Sequence, residues 1–204
     1  PYPHQNLSGV GVAFKLASAL AGSQEEILAE YADMVCLGTV ADVMPLVGEN
    51  RRFVARGLEA LQNTKRPGLA ALIRECGCDK QPITATTIGY VLAPRINAAG
   101  RMGEIDLAVE LFLTEDPEKG RELAARLCAL NRKRQEVESR IYDEALSMLP
   151  PGKPPAAIVL AGEHWHQGVV GVVASRMAEE FCCPAFLICM DGDKGKASSR
   201  SYGG

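Results

Sequence analysis

The sequence predicts an α/β protein built as two units joined by one long helix, and three observations carry that prediction. An apolar, partly β-branched run over residues 34–46 reads as a buried, parallel strand. An unbroken helical pattern runs from Pro117 to Leu149 and is stopped by Pro150-Pro151-Gly152. Beyond that break the apolar patterns alternate as strand, helix and strand, the mark of a further α/β unit. The expected boundaries are residues 1–115 for the first unit, 116–150 for the helix and 155–204 for the second unit.

In order, Val10, Phe14, Ala17 and Ala21 fall on one face of a first helix, with Gly9 and Gly11 permitting close packing at its start. The strand predicted over 34–46 follows, ending in a small-residue turn that carries Asp42. Phe53, Val54, Gly57, Leu58 and Leu61 then line a helix whose opposite side holds Arg51, Arg52 and Arg56 as a solvated face. Shorter helices are expected over 69–76, 84–92 and 107–113. Asp116-Pro117 is a capping acid followed by a first-turn proline, so the long helix begins there. Leu123, Leu127, Leu130, Val137, Ile141, Ala145 and Met148 form its stripe, interrupted by Arg134. Such a helix would span roughly 50 Å, a length suited to a strut between domains. Its middle carries Arg126, Arg132, Lys133, Arg134 and Arg140, either a band for a polyanion or a plain solvated face. In the second unit, 156–160 and 185–190 are strands, 169–181 is an amphipathic helix, and a third strand begins at Lys196.

Composition narrows the function classes. The 204 residues are 47% hydrophobic, enough for one sizeable core or two modest ones. A net charge of -3 excludes a globally basic, DNA-coating protein, so any nucleic-acid contact must come from a local patch. No apolar run reaches transmembrane length and no signal-peptide layout is present, so a cytoplasmic protein without membrane association is expected. The seven cysteines are scattered, and neither Cys76-Gly77-Cys78 nor Cys182-Cys183 has structural-zinc spacing. The chain starts at Pro1 without methionine and ends in an interrupted strand and turn, so a piece of a longer protein is expected.

Four segments carry candidate chemistry. Asp42 stands alone in apolar company at the predicted carboxyl end of a strand, where ligands of open α/β sheets collect; it is a metal ligand, a helix cap or half of an ion pair. In Pro94-Arg95-Ile96-Asn97-Ala98-Ala99-Gly100-Arg101, proline is expected to halt the preceding helix. Small residues there let a ligand approach, and Arg95 and Arg101 offer bidentate phosphate binding or ion pairs across a turn. His166 precedes a helix N-terminus, either an anion site or a satisfied core histidine beside Trp165. Ser198-Ser199-Arg200-Ser201 suits phosphate, and would equally fit an edge strand.

Taken together, Leu7 to Phe14, Gly38 to Leu46 with Glu49-Asn50-Arg51, Pro94 to Gly103, Asn131-Arg132-x-x-Gln135, Trp165 to Arg176 and Ser198 to Ser201 resemble, in order and spacing, the RecJ family of the DHH phosphoesterase superfamily. The resemblance implies that residues 1–115 are the later part of a DHH domain with a mostly parallel sheet. It makes 116–150 the connector and 155–204 a truncated DHHA1 domain. It implies a Mn2+- or Mg2+-dependent, single-strand-specific 5′-to-3′ DNA exonuclease of repair and recombination, with single-stranded DNA and other DNA-repair proteins as partners. Asp42 would then be a catalytic metal ligand. Arg101, Gln135 and Arg200 would hold the strand or its phosphates across an interdomain cleft, with Asn97, His166 and Ser198 in support. Arg95 and Arg176 rank lower, as equally structural. The family's Asp-x-Asp and Asp-His-His motifs lie upstream of Pro1 and its Gly-Gly-His motif beyond Gly204. One acid cannot clamp two ions, so the chain alone is expected to be inactive. Two other readings remain: a DHH/DHHA1 oligoribonuclease or nucleotide phosphatase, and a non-catalytic single-strand-binding relative.

Overall fold

In the computed structural model, which describes residues 2–150, 152 and 155–203, Ser8 and Ser23 open the first two helices. Ser8 Oγ accepts from the Gly11 amide and Ser23 Oγ from the Glu26 amide, both at 3.3 Å, so each satisfies an amide that a helix start leaves bare. These helices are α1 (Gly9–Ala21) and α2 (Gln24–Ala41). They are followed by α3 (Gly48–Gln62), α4 (Pro67–Glu75), α5 (Ala85–Thr87), a π-helical turn (Ile88–Leu92), α6 (Ala93–Arg101), α7 (Ile105–Leu113) and α8 (Pro117–Ser147). The chain ends in β1 (Ile158–Gly162), α9 (Gln167–Phe181), β2 (Ala185–Asp191) and β3 (Lys194–Arg200). Among the described residues no helix is long and apolar enough to cross a membrane. Pro151, Lys153 and Pro154 of the expected break lie outside the described residues, as do Pro1 and Gly204.

Two compact units divide the chain: residues 1–97 with 106–128, and 98–105 with 129–204. The described residues of the first unit form helices and no sheet. This corrects the strand predicted over 34–46, which is the second half of α2 and the turn after it. Leu28, Ala32, Val35, Cys36, Leu37 and Thr39 are all buried, because α2 packs against α1, α3 and the π-helical turn. A helix enclosed on several sides is apolar nearly all round, and a short apolar stretch of it shows no helical period. Glycines permit the close crossings. A Cβ on Gly57 would stand 2.1 Å from Cys36 Cβ and 2.3 Å from the Ala32 carbonyl oxygen.

Pro94 does not halt a helix either. Helical residues continue through it into α6, with the π-helical turn placed just before it. A proline inside a helix has no amide and collides with the carbonyl four residues earlier, and a locally widened turn accommodates both defects. Arg95 Nη1 donates to the Val91 carbonyl at 2.7 Å, so a side chain supplies a bond to this stretch of backbone.

The second unit contains a three-stranded sheet of order β1-β2-β3. β1 and β2 are parallel, with α9 between them in sequence, and β2 and β3 are antiparallel. The sheet is therefore mixed, and it lies in this unit, not in the first. Asp191 pairs with Lys194 across a two-residue hairpin whose Gly192 takes φ 57°, the left-handed region that such tight turns require. Trp165, Val169, Val170, Val173, Ala174 and Met177 share a core with Ile141, Tyr142, Ala145, Ile158, Ala185 and Leu187. Arg134, which interrupts the α8 stripe, is half-buried, ion-paired to Glu138 and hydrogen-bonded to Asn131 Oδ1 at 2.7 Å.

Candidate functional site

Helix α9 gathers four of the residues that the sequence singles out, Arg101, His166, Ser198 and Arg200. His166 is its N-cap: Nδ1 accepts from the Gly168 amide at 3.1 Å, so a neutral imidazole carries its proton on Nε2. Gly168, Gly171 and Ser175 recur three and four residues apart and share one face of the helix. Arg101 Nη1 donates to the Gly168 carbonyl at 3.3 Å. Farther along, Arg200 Nε donates to Ser175 Oγ at 3.0 Å, and its Nη1 donates to the Ser199 carbonyl at 2.7 Å and Ser198 Oγ at 3.3 Å. Lys196 Nζ donates to Gln167 Oε1 at 3.4 Å.

All of these acceptors are neutral. Among the described residues none of Arg101, Lys196 and Arg200 is paired with a carboxylate, and Arg101 and Arg200 are exposed. A helix start adds a partial positive charge of about half a unit, so Arg101 and Lys196 stand at an end of α9 that already favours anions, and Arg200 stands farther along the same helix, beside Gly171 and Ser175. The two glycines make this possible. A Cβ on Gly168 would sit 1.9 Å from the Arg101 carbonyl oxygen, and one on Gly171 would sit 2.8 Å from Ser198 Oγ and 3.2 Å from Arg200 Nη2.

The other expected site residues are dispersed. Gln135 lies on an exposed position of α8, in the same unit as Arg101 and Arg200, and its side chain makes no hydrogen bond among the described residues. The three residues thus share one unit, where the sequence had divided them between two domains and a connector. Asn97 is exposed on α6, and Arg95 is half-buried against Val91; both belong to the first unit. Arg176 lies over the Tyr142 ring at 3.6 Å, a packing role. Trp165 is buried, its ring filling the space where a Cβ on Gly162 would stand 2.4 Å away, and its Nε1 has no hydrogen-bond partner among the described residues.

Asp42 is not a buried acid at a strand end. It is the exposed C-cap of α2, followed by Val43 at φ 54°, while the Met44 amide donates to the Thr39 carbonyl at 3.2 Å. This is a Schellman-type helix stop with valine where glycine is usual. Asn50, fully buried, braces the turn by donating to the Pro45 carbonyl at 3.0 Å and the Asn6 carbonyl at 2.6 Å. Among the described residues no group of three His, Cys, Asp or Glu side chains could hold a metal ion.

Sequence reasoning missed Ser175, Lys196 and Asn50. Ser175 was legible in principle, seven residues after Gly168 on a helix already predicted. Lys196 carries no local signal, because its partner Gln167 is distant in the chain, and Asn50 joins the nearby Pro45 carbonyl to the distant Asn6 carbonyl.

No family model matches the chain. Among curated proteins, the single-stranded-DNA-specific exonuclease RecJ of Bacillus subtilis is 45% identical over 206 residues, covering 100% of this chain and 26% of that protein. RecJ of Escherichia coli is 38% identical over 222 residues, covering 100% of this chain and 38% of that protein. The crystal structure of RecJ from Thermus thermophilus in complex with Mn2+ superposes with a TM-score of 0.86 at 36% identity, over 98% of this chain and 30% of that one. A Mg2+ complex of the same protein gives the same TM-score. The chain thus spans only 26% to 38% of the length of these curated relatives.

Proposed function

Because the chain belongs to the RecJ family of single-stranded-DNA-specific exonucleases, we propose that it is the strand-holding part of such an enzyme, with the N-terminal end of α9 as its phosphate contact. The observation that carries this reading is that Arg101, Lys196 and Arg200, held only by neutral groups, line α9 from its first turn to Ser175. Phosphates would displace weak neutral acceptors there, and each charge-assisted contact is worth about 1.5–3 kcal/mol. Gln135, His166 and Ser198 lie in the same unit and would add neutral hydrogen bonds. Asn97 and Arg95 are candidates of lower rank.

The whole enzyme on this reading is a metal-dependent 5′-to-3′ exonuclease of DNA repair and recombination, acting in the cytoplasm with other repair proteins. Residues 1–115 would be the later part of its DHH domain, 116–150 the connector and 155–204 the start of its DHHA1 domain. The donor set of this chain does not fit a two-metal site, since Asp42 is the single candidate ligand and no cluster accompanies it among the described residues. Mn2+ or Mg2+ would need carboxylates and a histidine from elsewhere in the longer protein, and the chain alone is read as inactive.

Fluorescence anisotropy with a 5′-labelled oligothymidylate tests the strand-holding role. Binding by the chain should fall about 10- to 100-fold in both Arg101→Ala and Arg200→Ala, with duplex competing poorly. Unchanged affinity in both variants, or equal affinity for blunt duplex, removes the assignment. Release of mononucleotides by the chain in Mn2+ would remove the inactive reading. A substrate-length profile of the longer enzyme separates an exonuclease on long strands from an oligoribonuclease.

A further inference from the structure

Among the tyrosine, phenylalanine and tryptophan rings of the described residues, Tyr90 is the most exposed, at 82% against 52% for Tyr202, which comes next. The Tyr2 and Tyr142 hydroxyls donate to Glu49 and Glu180, and the Tyr31 ring lies against the Arg66 guanidinium. Tyr90 makes no side-chain hydrogen bond and no ring contact among the described residues.

The backbone that carries this ring is firmly held. Tyr90 sits in the middle of the π-helical turn, between Ile88 and Leu92, both fully buried. Thr84 and Thr87 cap the start of the helical stretch reciprocally, and Arg95 Nη1 ties down the Val91 carbonyl at 2.7 Å. The turn packs on α2, where a Cβ on Gly89 would stand 4.0 Å from Val40 Cγ1, two residues before Asp42. A ring with two side-chain torsions on an anchored backbone loses little freedom when a flat partner settles on it.

The surroundings of the ring select that partner. Between residues 84 and 97 the exposed positions are Thr84, Thr86, Tyr90 and Asn97, so one ring stands among hydroxyls and an amide. A protein partner anchored by an aromatic side chain needs contiguous apolar surface around the anchor, which this stretch does not offer. A phosphate is disfavoured too, because the face of an aromatic ring carries partial negative charge. A nucleobase fits: it is flat and uncharged, and stacking asks for no matching hydrogen bonds.

We propose that Tyr90 is a stacking position for a base of the single strand, a contact of the first unit in addition to the phosphate contacts on α9. The proposal rests on the strand-holding reading above and adds a second kind of contact to it. Stacking of this kind is tolerant of sequence and discriminates against duplex, whose bases are already stacked on one another.

Fluorescence anisotropy with an oligothymidylate and an abasic oligomer of equal length tests this, since both carry the same phosphates. The unmutated chain should bind the oligothymidylate more tightly, a comparison that needs no variant to fold. Tyr90→Ala should weaken oligothymidylate binding about 5- to 100-fold and leave abasic binding unchanged. Tyr90→Phe should keep the affinity within about twofold, whereas Tyr90→Leu, which has bulk but no π-face, should not. The slope of log affinity against log salt should stay the same in Tyr90→Ala, because no phosphate contact is lost. Equal affinity of the unmutated chain for both oligomers, or equal losses for both in Tyr90→Ala, would overturn the proposal. Unchanged binding in Tyr90→Ala would overturn it as well, and if Arg101→Ala still weakens binding the strand-holding reading stands without it. If the chain binds no strand, both are removed.

Discussion

Arg101 and Gly168 hold each other twice: the Arg101 guanidinium donates to the Gly168 carbonyl at 3.3 Å, and the Arg101 carbonyl oxygen occupies the space that a Cβ on residue 168 would fill, 1.9 Å away. The last turn of α6 is thereby seated on the first turn of α9 within one unit. A cation is placed beside a helix start, and among the described residues no carboxylate pairs with it.

Gly168→Ala should therefore destabilise the second unit by roughly 1–3 kcal/mol, the cost of overpacking against a backbone that cannot swing aside. Gly171→Ala should cost less, since its neighbours are Ser198 Oγ and Arg200 Nη2, the ends of side chains. Its effect should appear in strand binding instead. Urea midpoints set beside anisotropy titrations separate the two, and the ordering fails if Gly171→Ala is the less stable variant.

Salt should weaken strand binding steeply. Each phosphate contact contributes about -0.7 to the slope of log affinity against log salt for single strands, so Arg200→Ala should flatten the slope by about that amount. Titrations across a range of sodium chloride give the slopes directly, and an identical slope in the variant means Arg200 touches no phosphate.

Val43 occupies the left-handed region at φ 54° and is 87% exposed, so it carries strain with little packing in return. That conformation costs a non-glycine residue roughly 1–2 kcal/mol. Val43→Gly should raise stability by about 1 kcal/mol after the entropy of glycine is deducted. A lower urea midpoint in the variant would show that Val43 packs against something needed for folding.

Asp42→Ala should leave the stability of the chain within about 0.5 kcal/mol, because the side chain of this exposed C-cap makes no hydrogen bond among the described residues. If Asp42 is a metal ligand of a longer exonuclease, as proposed above, the same change should abolish turnover there. Near-normal rates at low Mn2+ would cancel the ligand assignment.

Burial, and then the Asp33 charge, push the Cys36 thiol up from 9.0 to about 12. Between those values the folded chain keeps a proton that the unfolded chain releases, so stability falls as pH rises through that window, by up to about 1.4 kcal/mol per pH unit. Cys36→Ala should cost stability at neutral pH through lost packing, yet show a shallower decline above about pH 9. Parallel alkaline slopes in urea denaturation would mean that another group is responsible.

Local chemistry made much of this protein readable from its sequence. The Asp116-Pro117 start, the i, i+3, i+4 stripe of α8, the apolar strands on either side of α9 and the arginines at 101 and 200 are all signals carried within a few residues. The start of α2 carries a local signal as well, Ser23 followed by Glu26, which sequence reasoning passed over. Tertiary structure decided the rest. Whether residues 34–41 were strand or helix depended on neighbours from α1, α3 and the π-helical turn, which bury the segment on several sides and erase its period. Whether Pro94 stopped a helix depended on a widened turn before it. Arg101, His166, Ser175 and Arg200 became neighbours only when residues up to about a hundred positions apart folded onto one helix face, where two missing Cβ atoms leave room for them. Sequence records which side chains a segment offers; packing determines which of them share a place, because that depends on contacts between segments far apart in the chain.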